Sequence, residues 1–238
     1  MRTMSRYEFK YLLSHKQYRS VYAAVQAHMK QDPFTEQAGY YWVRSLYLDS
    51  PDYRAYWEKV NGDSYRAKVR LRTYAQDLSM HAPTALEIKT KIGDRTDKFS
   101  WFVDCQDPGE IHNLVQSLDP EASPVIRQFL RFYHRQTLRP KVLVQYRREG
   151  YRSRDPDDVR ITFDHQVESA AANGLFPAGL FLRPHHRHWS VLEIKTPGMP
   201  PPWLRRLILR HGLRVQKNSK YAQAVENNAH DVAKSYLS

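Results

Sequence analysis

Cysteine is nearly absent from this chain: Cys105 is the only one in 238 residues. An internal disulfide is therefore excluded, and the single thiol fits a reducing compartment. No apolar run approaches the length of a membrane span. The N-terminal stretch MRTMSRYEFKYLL has no continuous apolar core, so it does not read as a signal peptide. These absences give the expectation of a soluble, cytoplasmic protein. Glycine is scarce as well. None of the nine glycines forms a phosphate-cradling loop, and the pattern G-x-x-x-x-G-K-S/T is missing. No H-E-x-x-H, G-x-S-x-G or Cys–His nucleophile arrangement occurs, which removes the common zinc-protease and serine- or cysteine-hydrolase chemistries.

Acidic residues are too few to balance the basic ones. The 25 Asp and Glu face 37 Lys and Arg, a formal net charge of +12. Such an excess argues for an anionic partner: nucleic acid, polyphosphate, nucleotide or an acidic lipid surface. With no glycine-rich cradle in the chain, any bound phosphate must be held by side-chain cations.

The charge is patterned. In YRAKVRLRTY, Arg66, Lys68, Arg70 and Arg72 alternate with Ala67, Val69 and Leu71. A strand repeats every two residues, so all four cations share one face and the apolar residues share the other. Neighbouring charges on that face lie roughly 6–7 Å apart. Each adjacent pair repels by about 2–3 kcal/mol at an effective dielectric near 20. The same alternation recurs in SRYEFKYLL, TALEIKTK, DKFSWFV, VQYRREGY, VRITFD and VLEIKT. Tyr146 and Arg148 share a side, as do Arg160, Thr162 and Asp164. A solvated sheet face, or the RNA-binding side of a small β domain, would account for one such stripe. Seven of them suggest strands closed into a barrel with a cationic lumen.

Helical signals flank and divide the strands. Ser14 and Gln17 form a capping box for a helix over 14–30, with Tyr18, Val21, Tyr22, Val25 and Met29 on one stripe. Strands dominate from about 40 to 104. A helix follows at about 108–118, and another starts at Ser123-Pro124. Strands return from 141 to 196. The C-terminal part is helical, through Trp203, Leu204, Leu207 and Ile208, then Tyr221, Ala224 and Val225, extending toward Tyr236. No linker or fixed-period repeat divides residues 1–238. The expected fold is therefore one α+β domain: a closed antiparallel β-barrel tunnel of about eight strands, helices packed outside and a C-terminal helix.

Other constellations have two readings each. Glu87-Ile88-Lys89 and Glu193-Ile194-Lys195 both place a carboxylate and an ammonium on one strand face. The carboxylate either holds a hard divalent cation or makes a cross-strand ion pair. Lys217-Asn218-Ser219-Lys220-Tyr221, at a helix start, is either an anion cradle or a solvent-facing cap. His185, His186 and His188 have no strong metal-ligand spacing. Asp155, Asp157 and Asp158 fit a solvated loop.

The segments R-Y-E-F-K-Y, S-L-Y-L-D-S, Y-R-A-K-V-R-L-R-T-Y, L-E-I-K-T-K, the later Lys98, Q-Y-R-R-E-G-Y, R-I-T-F-D, V-L-E-I-K-T and K-N-S-K-Y resemble, in that order, the VTC-domain proteins. These are the polyphosphate polymerase branch of the triphosphate tunnel metalloenzymes (CYTH-like). The resemblance runs from about residue 5 to 226. It implies an antiparallel β-tunnel in which Lys10, Arg70, Arg72, Arg148 and Lys220 act in catalysis. It implies phosphate binding by Lys89, Lys98, Arg160, Lys195 and Lys217, with Tyr146 and Ser219 assisting. Glu193 would coordinate Mn²⁺ or Mg²⁺. One departure stands out: where many tunnel enzymes begin with E-x-E-x-K, Arg6 takes the first Glu position and only Glu8 and Lys10 remain. The chain looks like a free-standing domain of the bacterial type, without fused phosphate-sensing or membrane domains. The implied activity is metal-dependent transfer of the γ-phosphate of ATP to polyphosphate. Hydrolysis of triphosphates by the same architecture, or polyphosphate or nucleic-acid binding without catalysis, are the alternatives. The implied partners are ATP, triphosphate and polyphosphate, and association with a membrane partner stays compatible with the charge. Nucleic acid is not expected, because the aromatics mostly alternate away from the cations.

Overall fold

The computed structural model describes residues 7–77, 80, 82–93, 95–103, 111–154 and 158–229. Arg6, Cys105, Asp155, Asp157, Tyr236 and the first residues of the helix expected from 108 lie outside the described residues. The chain begins with β1 (Tyr7–Ser14), α1 (His15–His28), β2 (Met29–Gln31), α2 (Pro33–Ala38) and β3 (Tyr41–Asp49). It continues with α3 (Arg54–Asn61), β4 (Tyr65–Thr73), β5 (Thr84–Ile92) and β6 (Arg95–Val103). Next come α4 (Ile111–Ser117), α5 (Pro124–Arg135), β7 (Arg139–Ser153) and β8 (Arg160–Ala171). The last elements are β9 (Arg183–Pro184), β10 (Trp189–Thr196), α6 (Pro202–Arg210) and α7 (Lys220–Asn228).

Helix starts follow local chemistry. Ser14 Oγ accepts from the Gln17 N–H while the Gln17 side chain reaches back to the Ser14 N–H, the capping box read from the sequence. Asp32 caps α2 by accepting from the Thr35 N–H at 2.9 Å, and Pro33 fills the first helical position. Ser123 and Ser219 cap α5 and α7 in the same way. Helix α3 differs. Its own N-cap, Tyr53, sits in the left-handed region at φ 59 and offers no side-chain cap. Asp49 supplies the acceptors instead, taking the N–H of Ala55 at 2.9 Å and of Tyr56 at 3.2 Å. The strand-rich reading of residues 40–104 missed α3 for this reason, because its cap lies four residues upstream.

Strand pairs β1·β10, β10·β8, β3·β4, β4·β5 and β5·β6 are antiparallel, and the hydrogen-bonded order is β1-β10-β8-β7-β3-β4-β5-β6. Strand β2 pairs with β7, and β9 with β8. The fold is thus α+β with an antiparallel sheet, as expected. The closed barrel is not seen: the path runs open from β1 to β6 among the described residues. Pairing between β1 and β10 brings together strands far apart in the sequence, from Tyr7 opposite Thr196 to Ser14 opposite Trp189.

Two compact units share the chain. The first comprises residues up to Trp42, Tyr146–Val167 and His186–Asn218. Its core is built from Leu13, Val21, Val25, Ile161, Phe163, Leu192 and Leu204 on α1, α6 and the apolar faces of β1, β8 and β10. The second comprises Val43–Gln145, Glu168–His185 and the chain from Ser219 onward. There Leu46, Leu48, Val69, Leu71, Leu86, Ile88 and Phe129 form the core. In both, the apolar half of the strand alternation is buried and the charged half faces away from that core.

Candidate functional site

In the second unit the basic stripe converges on one carboxylate. Register places Arg70 opposite Glu87, Lys68 opposite Lys89, and Lys89 opposite Lys98. Arg70 donates through Nε to Glu87 Oε2 at 2.6 Å, and its Nη2 makes an ion pair with the same oxygen at 2.6 Å. Lys98 pairs with Glu87 Oε1, and Arg72 Nε lies 3.7 Å from Oε2. Glu87 is buried at 3% exposure, so this is a cross-strand ion pair with three cations to one anion. Burial alone would raise its pKa. Arg70, Arg72 and Lys98 overcome that and hold it at about 2.

Two residues of β3 carry this cluster from behind. Arg70 Nη1 donates to Tyr47 Oη at 2.9 Å, and Arg72 Nε donates to Ser45 Oγ at 3.1 Å. Burial pushes the Tyr47 hydroxyl up, but Arg70, Arg72 and Lys220 outweigh it and leave its pKa below the usual value. Lys98 goes the other way. Burial lowers its pKa, Arg70 and Arg72 lower it further, and Glu87 opposes them. Both shifts report the same excess of positive charge. Lys68 donates to Ser219 Oγ at 3.0 Å and lies over the Tyr221 ring. That hydroxyl also caps α7, so Ser219 joins a lysine to a helix start. Lys220 is buried at the first position of α7, and Lys89 is half-buried.

The first unit holds a second cluster, with carboxylates and cations more evenly matched. Lys10 lies 2.9 Å from Glu8 and 3.7 Å from Glu193, and Lys195 pairs with Glu193 at 2.8 Å. Burial lowers the Lys10 pKa. Glu193, then Glu8, outweigh it and push the ammonium well above its usual range. Arg148 donates from Nε and Nη2 to both oxygens of Asp164, at 2.6 and 2.8 Å, and lies over the Tyr146 ring. The bidentate carboxylate outweighs the cost of burial and keeps this guanidinium firmly charged. Arg160 is more exposed and lies 3.7 Å from Asp32. Lys10 Nζ donates to the backbone carbonyl of Asn218, which ties the segment before α7 to β1; Lys217 beside it is exposed.

The residues around Glu193 suit a hard cation. Its cross-strand neighbour is Thr162, whose buried Oγ1 has no hydrogen-bond partner. Glu8 pairs with Lys10, the ammonium that Glu193 also approaches. The donors are all oxygen, the chemistry that Mg²⁺ and Mn²⁺ take. Among the described residues no group of three His, Cys, Asp or Glu forms a complete protein cage. The set therefore fits an ion that keeps water or phosphate oxygens in its remaining positions.

The sequence-derived residues thus fall into two sets. Arg70, Arg72, Lys89, Lys98, Ser219 and Lys220 belong to the second unit. Lys10, Tyr146, Arg148, Arg160, Glu193, Lys195 and Lys217 belong to the first. Tyr47, Ser45, Asp164 and Thr162 were missed as site residues. Their signal was parity: each shares a strand face with residues of the quoted motifs. His185 is structural, sharing hydrogen bonds with Ser169 at 2.8 Å and Gln223 at 3.3 Å.

The family model described as VTC domain matches residues 5–228. No curated protein matches the chain. Among solved structures, protein bh2851 of Bacillus halodurans, described as a candidate adenylate cyclase, is 10% identical with a TM-score of 0.47. That alignment covers 91% of this chain and 96% of the other. PH1819 of Pyrococcus horikoshii OT3 is 12% identical with a TM-score of 0.46, over 93% and 99% of the two chains. NE1496, described as an inorganic triphosphatase, is 14% identical with a TM-score of 0.31, over 94% and 96%.

Proposed function

Given that this chain belongs to the VTC domain family, we propose that it is a polyphosphate polymerase of the tunnel type, moving the γ-phosphate of ATP onto a phosphate chain. The observation that carries this reading is the charge surplus at Glu87. Three cations meet one buried carboxylate there, and the hydroxyls of Tyr47 and Ser45 fix the two guanidinium planes. A site of this kind is pre-built for a polyanion with closely spaced oxygens.

Arg70 and Arg72 hold non-bridging phosphate oxygens, with Lys89, Lys98 and Lys220 adding charge. Lys10, Arg148, Arg160, Lys195 and Lys217 do the same on the first unit, with Tyr146 and Ser219 assisting. A terminal oxygen of the acceptor phosphate attacks the γ-phosphorus as its bond to the bridging oxygen breaks, and ADP leaves with the electron pair. The acceptor oxygen is already anionic, so no general base is needed. The protein's work is positioning and charge neutralisation. Glu193, with Glu8, would hold Mn²⁺ or Mg²⁺. That ion, when bound, would neutralise phosphate charge.

A second reading is favoured by one observation. Glu8 of β1 and Glu193 of β10 both flank Lys10, so two carboxylates meet at this lysine although Arg6 takes the motif's first Glu position. That arrangement suits a triphosphate hydrolase. Incubating the protein with ATP and Mn²⁺ separates the readings: growth of a polyphosphate ladder on a gel supports the polymerase, free phosphate alone the hydrolase. Neither product with either metal leaves a polyanion binder.

A further inference from the structure

No Asp or Glu occurs between Glu193 and Glu226. This stretch includes α6, PWLRRLILR, and the turn that follows it. Leu204 is fully buried and Trp203, Leu207 and Ile208 pack on the first unit's core, which fixes the helix face turned inward. The opposite face is set by the helical period. Pro202, Arg205, Arg206 and Leu209 stand at positions i, i+3, i+4 and i+7, and all four are exposed. Leu209 is 79% exposed. Met199 before the helix and Val215 after it are 76% and 60% exposed. Arg210 and Arg214 are exposed around them.

A lone exposed apolar side chain is ordinary on a solvated helix, whose charges are usually mixed in sign. Here three apolar tips stand out from a field of one sign. The cations need an anionic partner, and nothing within the segment can neutralise them. The apolar tips need somewhere dry to go. A soluble polyanion meets only the first need. An anionic bilayer meets both: headgroup phosphates take the arginines while Leu209 and Met199 enter the acyl boundary. We propose that this face, centred on Leu209 and flanked by Arg205 and Arg206, docks the protein peripherally on a membrane of anionic lipid. It is independent of the phosphate-binding clusters and of the reaction assigned to them.

The test is co-sedimentation of the full chain with vesicles of phosphatidylcholine alone, or mixed with phosphatidylglycerol. The chain is expected to pellet with the anionic vesicles and stay in solution with the neutral ones. The double variant Arg205→Gln/Arg206→Gln should weaken binding about thirtyfold, at the usual strength of a cation near such a surface. Leu209→Gln, which keeps every charge, should weaken it about tenfold. These side chains are exposed, so the variants should keep the wild-type far-ultraviolet circular dichroism. The lysine pair Arg205→Lys/Arg206→Lys should retain binding. Saturating tripolyphosphate should not release the protein from the vesicles. Release would assign the attraction to the phosphate clusters and overturn the proposal. So would an undiminished Leu209→Gln, above all if the same protein bound single-stranded RNA equally well, because the face would then be a site for nucleic acid. No difference between neutral and anionic vesicles would also overturn it.

Discussion

Glu87 accepts a hydrogen bond from Arg70 Nε and lies within ion-pair distance of its Nη2 through the same oxygen, from a directly opposed position on the neighbouring strand. Its other oxygen faces Lys98, so one carboxylate holds two cations in place and moderates a third, Arg72. The like-charge crowding inferred from β4 alone is real but locally compensated. The alternation showed the stripe and could not show which residue from the next strand would answer it.

Acid should expose this compensation. The Glu87 pKa falls from its ordinary 4.5 to about 2 on folding. A depressed carboxylate contributes stability above its unfolded pKa and loses it as pH falls toward the folded one. The contribution, about 3 kcal/mol, should therefore be present at pH 6 and drain away between about 4.5 and 2. Thermal melts across that range should show a steeper decline in the wild type than in Glu87→Gln.

Arg70→Ala should abolish turnover. The basic stripe alone predicts that the same change leaves the fold intact or more stable, by relieving repulsion. The pairing with Glu87 and Tyr47 reverses the sign: the variant loses the bonds to both and should be less stable by about 2 kcal/mol. Denaturant unfolding without polyanion decides between the two. A midpoint at or above the wild type would mean that repulsion wins.

Tripolyphosphate should raise the melting temperature. At a hundred times its dissociation constant the stabilisation is about 2.7 kcal/mol. Arg72→Ala and Lys98→Ala should each reduce that shift at fixed ligand concentration. RNA that stabilised the wild type more than tripolyphosphate did would speak against the phosphate-chain reading.

Asp49 offers a stability test that can be read without any phosphate ligand. It is fully buried and accepts from the N–H of Ser50, Ala55 and Tyr56 and from the Tyr221 hydroxyl. Burial, then Asp49 itself, pushes the Tyr221 hydroxyl far above its usual pKa, so it stays a donor throughout the working range. Tyr221→Phe should cost about 2 kcal/mol, the typical worth of a hydrogen bond to a charged group. Asp49→Ala should cost more, because it also uncaps α3. Equilibrium unfolding of the two variants measures both.

What could be read from the sequence was what rests on local period or local chemistry. The face of β4 follows from alternation, the start of α1 from Ser14 and Gln17, and the start of α5 from Ser123-Pro124. Alternation likewise put Tyr146 and Arg148 on one side, where the guanidinium lies over the ring. Helix α3 was hidden because Asp49 caps it across a turn. Helix α2 was hidden because six residues carry too little periodicity, although Asp32-Pro33 is a good start signal. Ser45 and Tyr47 escaped notice as site residues because their importance lies in cross-strand register, which alternation leaves undetermined.

The pairing of β1 with β10 has a consequence for biosynthesis. Strand β1 cannot close its ladder with β10 until Trp189–Thr196 has left the ribosome. At ordinary elongation speeds that wait is roughly 10–40 s. Throughout it Tyr7–Ser14 lacks its strand partner while bearing Tyr11 and Leu13, which the finished fold buries, so that apolar face stays wet for as long as translation takes.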